Sequence, residues 1–317
     1  MTKRAIRQGK HLLFSLSATG SLLPAYKLRD PPASVRAETV IGLRHGKHKG
    51  KIFAYMEVDP KSAATVVATY MGLKELAPRI LGPTADYLGA GLRAYTEKGA
   101  ANLRKIFENA GSKLGEQLNK PEQVSPKVLK EILDEGYFAD DELAAEYFGG
   151  VLASARTANS RDDRGAAFVK LVSRLSVYQL RAHHIFYATV RKRNIGKNVN
   201  VLDEREASKS LLTFLSYRDF AAGLDIQSSE DFVALVPHIL YGLDRECLIS
   251  PKYRFGGMNY LNEGHPGAAT GDGMILVPSP LGIELFLWAY GRGRLAGQEL
   301  LSPTLELKPV TGIVYPP

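Results

Sequence analysis

The chain has 317 residues, 45% of them hydrophobic, which is enough to bury a sizeable core in one or two domains and excludes a disordered or fibrous protein. Its single cysteine, Cys247, excludes an internal disulfide and a cysteine-rich metal site, and it reads as a buried structural thiol in a reducing compartment. The formal net charge of +8 favours association with a polyanion or an acidic partner, and no apolar run approaches the roughly 20 residues that span a bilayer.

The first 25 residues carry a basic start, but Ser15, Ser17, Thr19 and Ser21 break the apolar stretch, so no secretion signal is expected. Residues 1–59 are rich in Lys and Arg. Val40 to Leu43 and Ile52 to Val58 read as short strands flanking the glycine-punctuated segment Arg44 to Lys51. The expected shape is a β-hairpin with a basic tip. Lys47, Lys49 and Lys51, with Arg44, are the first candidates for a polyanion contact, because Lys side chains on a protruding loop can neutralise several phosphates. The competing reading is a solvated loop that keeps a sheet edge soluble. The tip lacks P-loop spacing, and no Cys or carboxylate joins His45 and His48, so neither a nucleotide nor a metal site is expected there.

At Asp59-Pro60 the pattern turns helical. A long helical stretch is expected from Thr84 to about Leu118, weakened by Gly89, Gly91, Gly99 and Gly111. Ser125-Pro126 starts a helix that Gly136 should end in a left-handed conformation. Asp140, Asp141 and Glu142 open the next, with Leu143, Tyr147, Phe148, Val151 and Leu152 on its apolar face. A third follows the turn Asn159 to Arg164, and Ser176 caps a fourth. That fourth helix carries His183 and His184, of which at least one faces inward. A general-base or ligand role for them lacks a visible Ser, Cys or Asp partner. Arg191, Lys192 and Arg193 close this helix. They suit its negative C-terminal dipole, and they form the second candidate set for a polyanion.

Residues 203–223 read as one helix. Ser229 should cap the next, with Phe232, Val233, Leu235, Val236, Ile239, Leu240 and Leu243 buried and Pro237 as a kink. A glycine-rich loop, a strand at Ile275 to Val277 and an apolar helix from Ser279-Pro280 follow, resembling part of a winged-helix module. Leu281 to Phe286 lacks the Arg, Asn or Gln expected of a recognition helix. The tail from Leu301, with four prolines, reads as extended and docked, or as disordered.

Several phrases resemble the abortive infection alpha (Abi-alpha) family of bacterial phage-defence proteins. They are Leu81-Gly82-Pro83-Thr84-Ala85-Asp86-Tyr87-Leu88-Gly89, Asn102-Leu103-Arg104-Lys105-Ile106, Val124-Ser125-Pro126-Lys127-Val128-Leu129 and Asp140-Asp141-Glu142-Leu143. Tyr147-Phe148-Gly149-Gly150-Val151-Leu152-Ala153, Phe168-Val169 with Leu175-Ser176, and Leu276-Val277-Pro278-Ser279-Pro280-Leu281-Gly282-Ile283 continue the series. The likeness spans roughly residues 75–290. It departs at Tyr147 to Ala153, where the family's Trp-Ala-Asn-Leu-Leu-Ala has a polar Asn that this chain lacks. The resemblance implies a mostly helical cytoplasmic protein acting in defence against phage, and it brings no catalytic residues.

The expected fold is mainly α: a multi-helix bundle with a small β-containing N-terminal arm and a winged-helix-like C-terminal segment. The expected divisions are an arm at 1–59, a helical core at 60–223, a helix-wing-helix segment at 224–300 and a proline-rich tail at 301–317. The expected function is defence through binding of nucleic acid or a protein partner, without a cofactor or a metal. Alternatives are a membrane-disturbing effector using Thr84 to Leu114, an enzyme using His183 or His184, and a winged-helix-like nucleic-acid binder with no defence role.

Overall fold

The computed structural model describes residues 43–48, 51–56, Arg79 and 97–316. Within them the protein is mainly helical with small antiparallel sheets. Strands β1 (Leu43–His48) and β2 (Lys51–Met56) pair antiparallel, with Leu43 opposite Met56 and His48 opposite Lys51. Of the expected arm and the helices before residue 97, the rest lies outside the described residues.

Helix α1 (Glu97–Leu114) ends in a 3-10 turn at Gly115–Asn119, so the helix expected to reach Leu118 stops earlier. Leu103, Ile106, Phe107 and Ala110 form its buried side. Short strand β3 (Gln123–Val124) leads into α2 (Pro126–Gly136). Gly136 is not left-handed as expected. It remains in the helix and Tyr137 continues in right-handed geometry. Close packing explains the glycine, since a Cβ there would sit 2.5 Å from Ile106 Cδ1.

The centre of the fold is α3 (Glu142–Ser154), whose start is capped by Asp141 accepting from the amides of Leu143 and Ala144. Its apolar residues are buried nearly all round, the pattern of a helix enclosed by others. Gly149 lets α1 approach: a Cβ there would lie 2.6 Å from Asn109 Cβ and 2.9 Å from the Ile106 carbonyl. Gly150 faces the backbone of Ala289 with no room for a side chain.

Strand β4 (Arg156–Thr157) pairs with β3 and carries the fully buried Arg156. Its guanidinium donates to the carbonyls of Gln117 (3.0 Å), Arg79 (3.0 Å), Lys120 (3.1 Å) and Glu122 (3.0 Å). One planar donor fork thus ties the 3-10 turn after α1, the residues that follow it and Arg79 to β4.

Helix α4 (Arg164–Arg174) packs on α2. Helix α5 (Val177–Asn194) begins with a capping box in which Ser176 and Gln179 satisfy each other's backbone amides. The stretch expected as one helix at 203–223 is divided into α6 (Glu204–Ser210), strand β5 (Thr213–Ser216) and α7 (Tyr217–Leu224). The β-prone run Thr213-Phe214-Leu215 gains a strand partner, and this tertiary pairing overrides the helical reading.

Helix α8 (Phe232–Arg245) is capped by Asp231, not by Ser229 as expected, and it contains Pro237. Val236, Ile239, Leu240 and Leu243 are buried as expected, whereas Val233 is 79% exposed and Phe232 and Leu235 are only half-buried. Cys247 follows the helix and is exposed, with a left-handed φ of 56°, which corrects the expected buried thiol.

The glycine-rich stretch is not all loop. Strand β6 (Arg254–Gly256) and helix α9 (Met258–Gly264) lie within it, and the strand expected at Ile275 to Val277 is β7 (Gly273–Leu276), the centre of an antiparallel sheet of order β5-β7-β6. A small second core of Leu261, Ala269 and Ile275 lies there. Helix α10 (Pro280–Ala289), capped by Ser279, packs on α3 and α5. The main core runs unbroken from Ala100 to Leu305, across the expected boundary at residue 224 and into the tail.

Candidate functional site

The two candidate cation sets lie in different surroundings. Arg44 and Lys47 belong to β1 and Lys51 begins β2, while Lys49 lies outside the described residues. The basic residues are therefore mostly strand residues, not an eight-residue tip. The charge of the chain is segregated around them. Among its first 50 residues ten are Lys or Arg and two are Asp or Glu, a surplus equal to the entire net charge of +8. Everything after residue 50 balances, with 31 basic and 31 acidic side chains.

Arg191, Lys192 and Arg193 sit in the last turn of α5, as expected, but their donors meet carbonyls of the protein itself. Arg191 donates to Leu300, Ser302 and Leu305, Lys192 to Pro316 at 3.1 Å, and Arg193 to Phe214 at 2.7 Å. These cations hold the C-terminal tail and β5 against the helix end. Burial lowers the Arg191 pKa from its ordinary value.

His183 and His184 are both fully buried, one more than the helical reading required. Their hydrogen bonds fix the protons. His183 Nε2 faces the Gly282 carbonyl at 3.1 Å, which can only accept, so the proton is on Nε2 and Nδ1 accepts from the Tyr147 hydroxyl at 2.8 Å. Tyr147 oxygen can then accept from His184 Nδ1 at 3.4 Å, leaving His184 Nε2 to accept from the Tyr315 hydroxyl at 2.9 Å. The Val310 amide donates in turn to Tyr315 at 3.0 Å. Amide, phenol, imidazole, phenol, imidazole and carbonyl form one directional chain with every proton placed and no net charge.

A further proton has no acceptor in that chain. Burial pulls both imidazoles down to about 3, and the neighbouring His183 and Lys113 add to the effect at His184. Burial raises Tyr147 and Tyr290 well above the ordinary phenol range. These four groups remain neutral at physiological pH, which makes the histidines part of the core rather than a general-base pair.

Beside this chain lies a cavity of about 330 Å³ between α5, α10 and the tail. Phe286 is buried at its floor, Ile195 and Lys192 stand exposed at its mouth, and Tyr290, Tyr315, Leu307 and Pro309 line it between. Sequence reasoning missed the tail's part in both structures. Tyr315 has no periodic context, and its proline-rich surroundings give no sign that its hydroxyl reaches a histidine 131 residues away.

Among the described residues no group of three or more His, Cys, Asp or Glu is placed to hold a metal ion. No described helix is long and apolar enough to cross a membrane. The described part of the glycine-containing stretch, α1, places its apolar side in the core. Helix α10 likewise buries Leu285 through Ala289, while Leu281 and Glu284 in its first turns are only partly buried.

Comparison with protein-family models, curated proteins and solved structures finds no match to this chain. The resemblance to the abortive infection alpha family rests on the quoted phrases. Several of these coincide with local building devices: the Ser125-Pro126 start of α2, the Asp141 cap, the Gly149-Gly150 approach and the Ser279-Pro280 start of α10.

Proposed function

We propose that this protein acts in bacterial phage defence by abortive infection, binding nucleic acid through its basic N-terminal residues, with Arg44, Lys47, Lys49 and Lys51 as contacts. The observation that carries the binding reading is the charge segregation: the surplus of eight positive charges lies entirely within the first 50 residues. Arg191, Lys192 and Arg193 contribute less to this reading, because carbonyls of the protein already accept from them. The defence role is drawn from the phrase resemblance.

Electrostatic binding of this kind weakens linearly on a logarithmic salt scale, with a slope set by the number of phosphates neutralised. The test is fluorescence anisotropy of short labelled duplex and single strands over a salt series. The triple variant Lys47→Glu, Lys49→Glu, Lys51→Glu should bind about tenfold or more weakly with a shallower slope, while its helical circular dichroism is unchanged. Equal binding by that variant overturns the contact assignment. Phage challenge at low and high multiplicity tests the role separately. Survival at low multiplicity with collapse at high supports abortive infection, and binding without protection supports a nucleic-acid binder with no defence role.

A further inference from the structure

We infer that the cavity between α5, α10 and the C-terminal tail is a binding site for a small amphipathic anion, an apolar chain with a carboxylate or phosphate head. The inference is independent of nucleic-acid binding.

At about 330 Å³ the cavity falls at the lower end of ligand pockets, which span about 300–1,000 Å³. Its walls are mainly carbon: Ala188, Ile195, Phe286, Leu307 and Pro309. The charged groups among the lining residues are Arg191 and Lys192, both cationic, and no carboxylate lines it. Glu146, whose charge is felt at Tyr290, is already paired with Lys113.

The arrangement has a direction. Phe286 is buried at the floor, whereas Lys192 and Ile195 are exposed at the mouth. Lys192 has three N–H donors and uses one on the Pro316 carbonyl, which leaves two for an oxyanion at the entrance. An apolar chain lying toward Phe286 with its head beside Lys192 satisfies both ends. Burial of that chain and a charge-assisted hydrogen bond at the mouth then act together.

Isothermal titration of the full chain with decanoate, decyl phosphate and decyltrimethylammonium tests this. Saturable one-to-one binding of decanoate or decyl phosphate, with the cationic amphiphile much weaker, is the expected result, and the stronger of the two anions identifies the head group. Lys192→Glu removes the entrance donors together with the Pro316 contact, and should weaken anion binding about tenfold while decyltrimethylammonium binds no more weakly than before. Ala188→Trp fills the cavity and should abolish it. Equal binding of the cationic amphiphile, no saturable binding of either anion, or undiminished binding by Lys192→Glu overturns the assignment. If Ala188→Trp fails to fold by circular dichroism, the Lys192→Glu comparison decides alone.

Discussion

The hydroxyl of Tyr315 donates to Nε2 of His184 at 2.9 Å, tying the tail to the most buried polar atoms of the helical core. The bond is the outer end of a chain that passes through Tyr147 and His183 to the carbonyl of Gly282. Each member depends on the next for its proton position, so damage at one link reaches the others.

Tyr315→Phe removes the donor to His184 and the acceptor of the Val310 amide. We expect a loss of about 1–2 kcal/mol in urea denaturation, with faster hydrogen exchange at Val310. Tyr147→Phe should cost more, about 2–4 kcal/mol, because Tyr147 is fully buried and serves both imidazoles. A larger effect at position 315 than at 147 would contradict the central place of Tyr147 in the chain.

Acidification should destabilise the protein early. Folded His183 and His184 stay neutral down to about 3, whereas in the unfolded chain they take up protons below about 6.5. The unfolded state then binds more protons, so stability is fully present above about pH 6.5 and falls as pH drops toward 3. The slope is on the order of 1.4 kcal/mol per pH unit for each histidine. Carboxylates held low by their partners, Asp140, Asp162 and Glu230, contribute only at lower pH. Urea midpoints at pH 7, 6 and 5 check this, and a flat profile would show that the imidazoles are not held neutral.

Gly150→Ala should be severe. The added methyl meets the Ala289 backbone of α10, which cannot yield as a flexible side chain would. A loss of about 2–3 kcal/mol in thermal or chemical denaturation is expected. Gly271→Ala is the control, with nothing within 4 Å and no left-handed requirement, and it should change stability by less than about 0.5 kcal/mol.

Much of the helical body was legible because its signals are local. Ser125-Pro126, Asp141, Ser176 and Ser279-Pro280 mark helix starts, and the periodic apolar residues of α3 are buried. What failed depends on distant partners. Strand β5 exists because β7 lies beside it, and Gly136 serves the packing of Ile106, not a helix stop. Helix α9 is hidden in a glycine-rich run whose apolar content is small, with Leu261 its only buried residue. The candidate site divides in the same way. Arg191 to Arg193 could be found as a helix-end cluster, but their carbonyl acceptors in the tail and in β5 could not. The histidine chain and the cavity require Tyr147, Tyr290 and Tyr315 to converge from three separate stretches, and no spacing rule joins them.

The tail bond also imposes an order on biosynthesis. His184 leaves the ribosome 131 residues before Tyr315, and domains generally fold as units. Throughout that interval α5 carries an imidazole whose intended donor has not been made, and the wall formed by Leu307, Pro309 and Tyr315 is missing. The core that reaches Leu305 is completed only shortly before, and the neutral chain and the cavity close only after Tyr315 has been added.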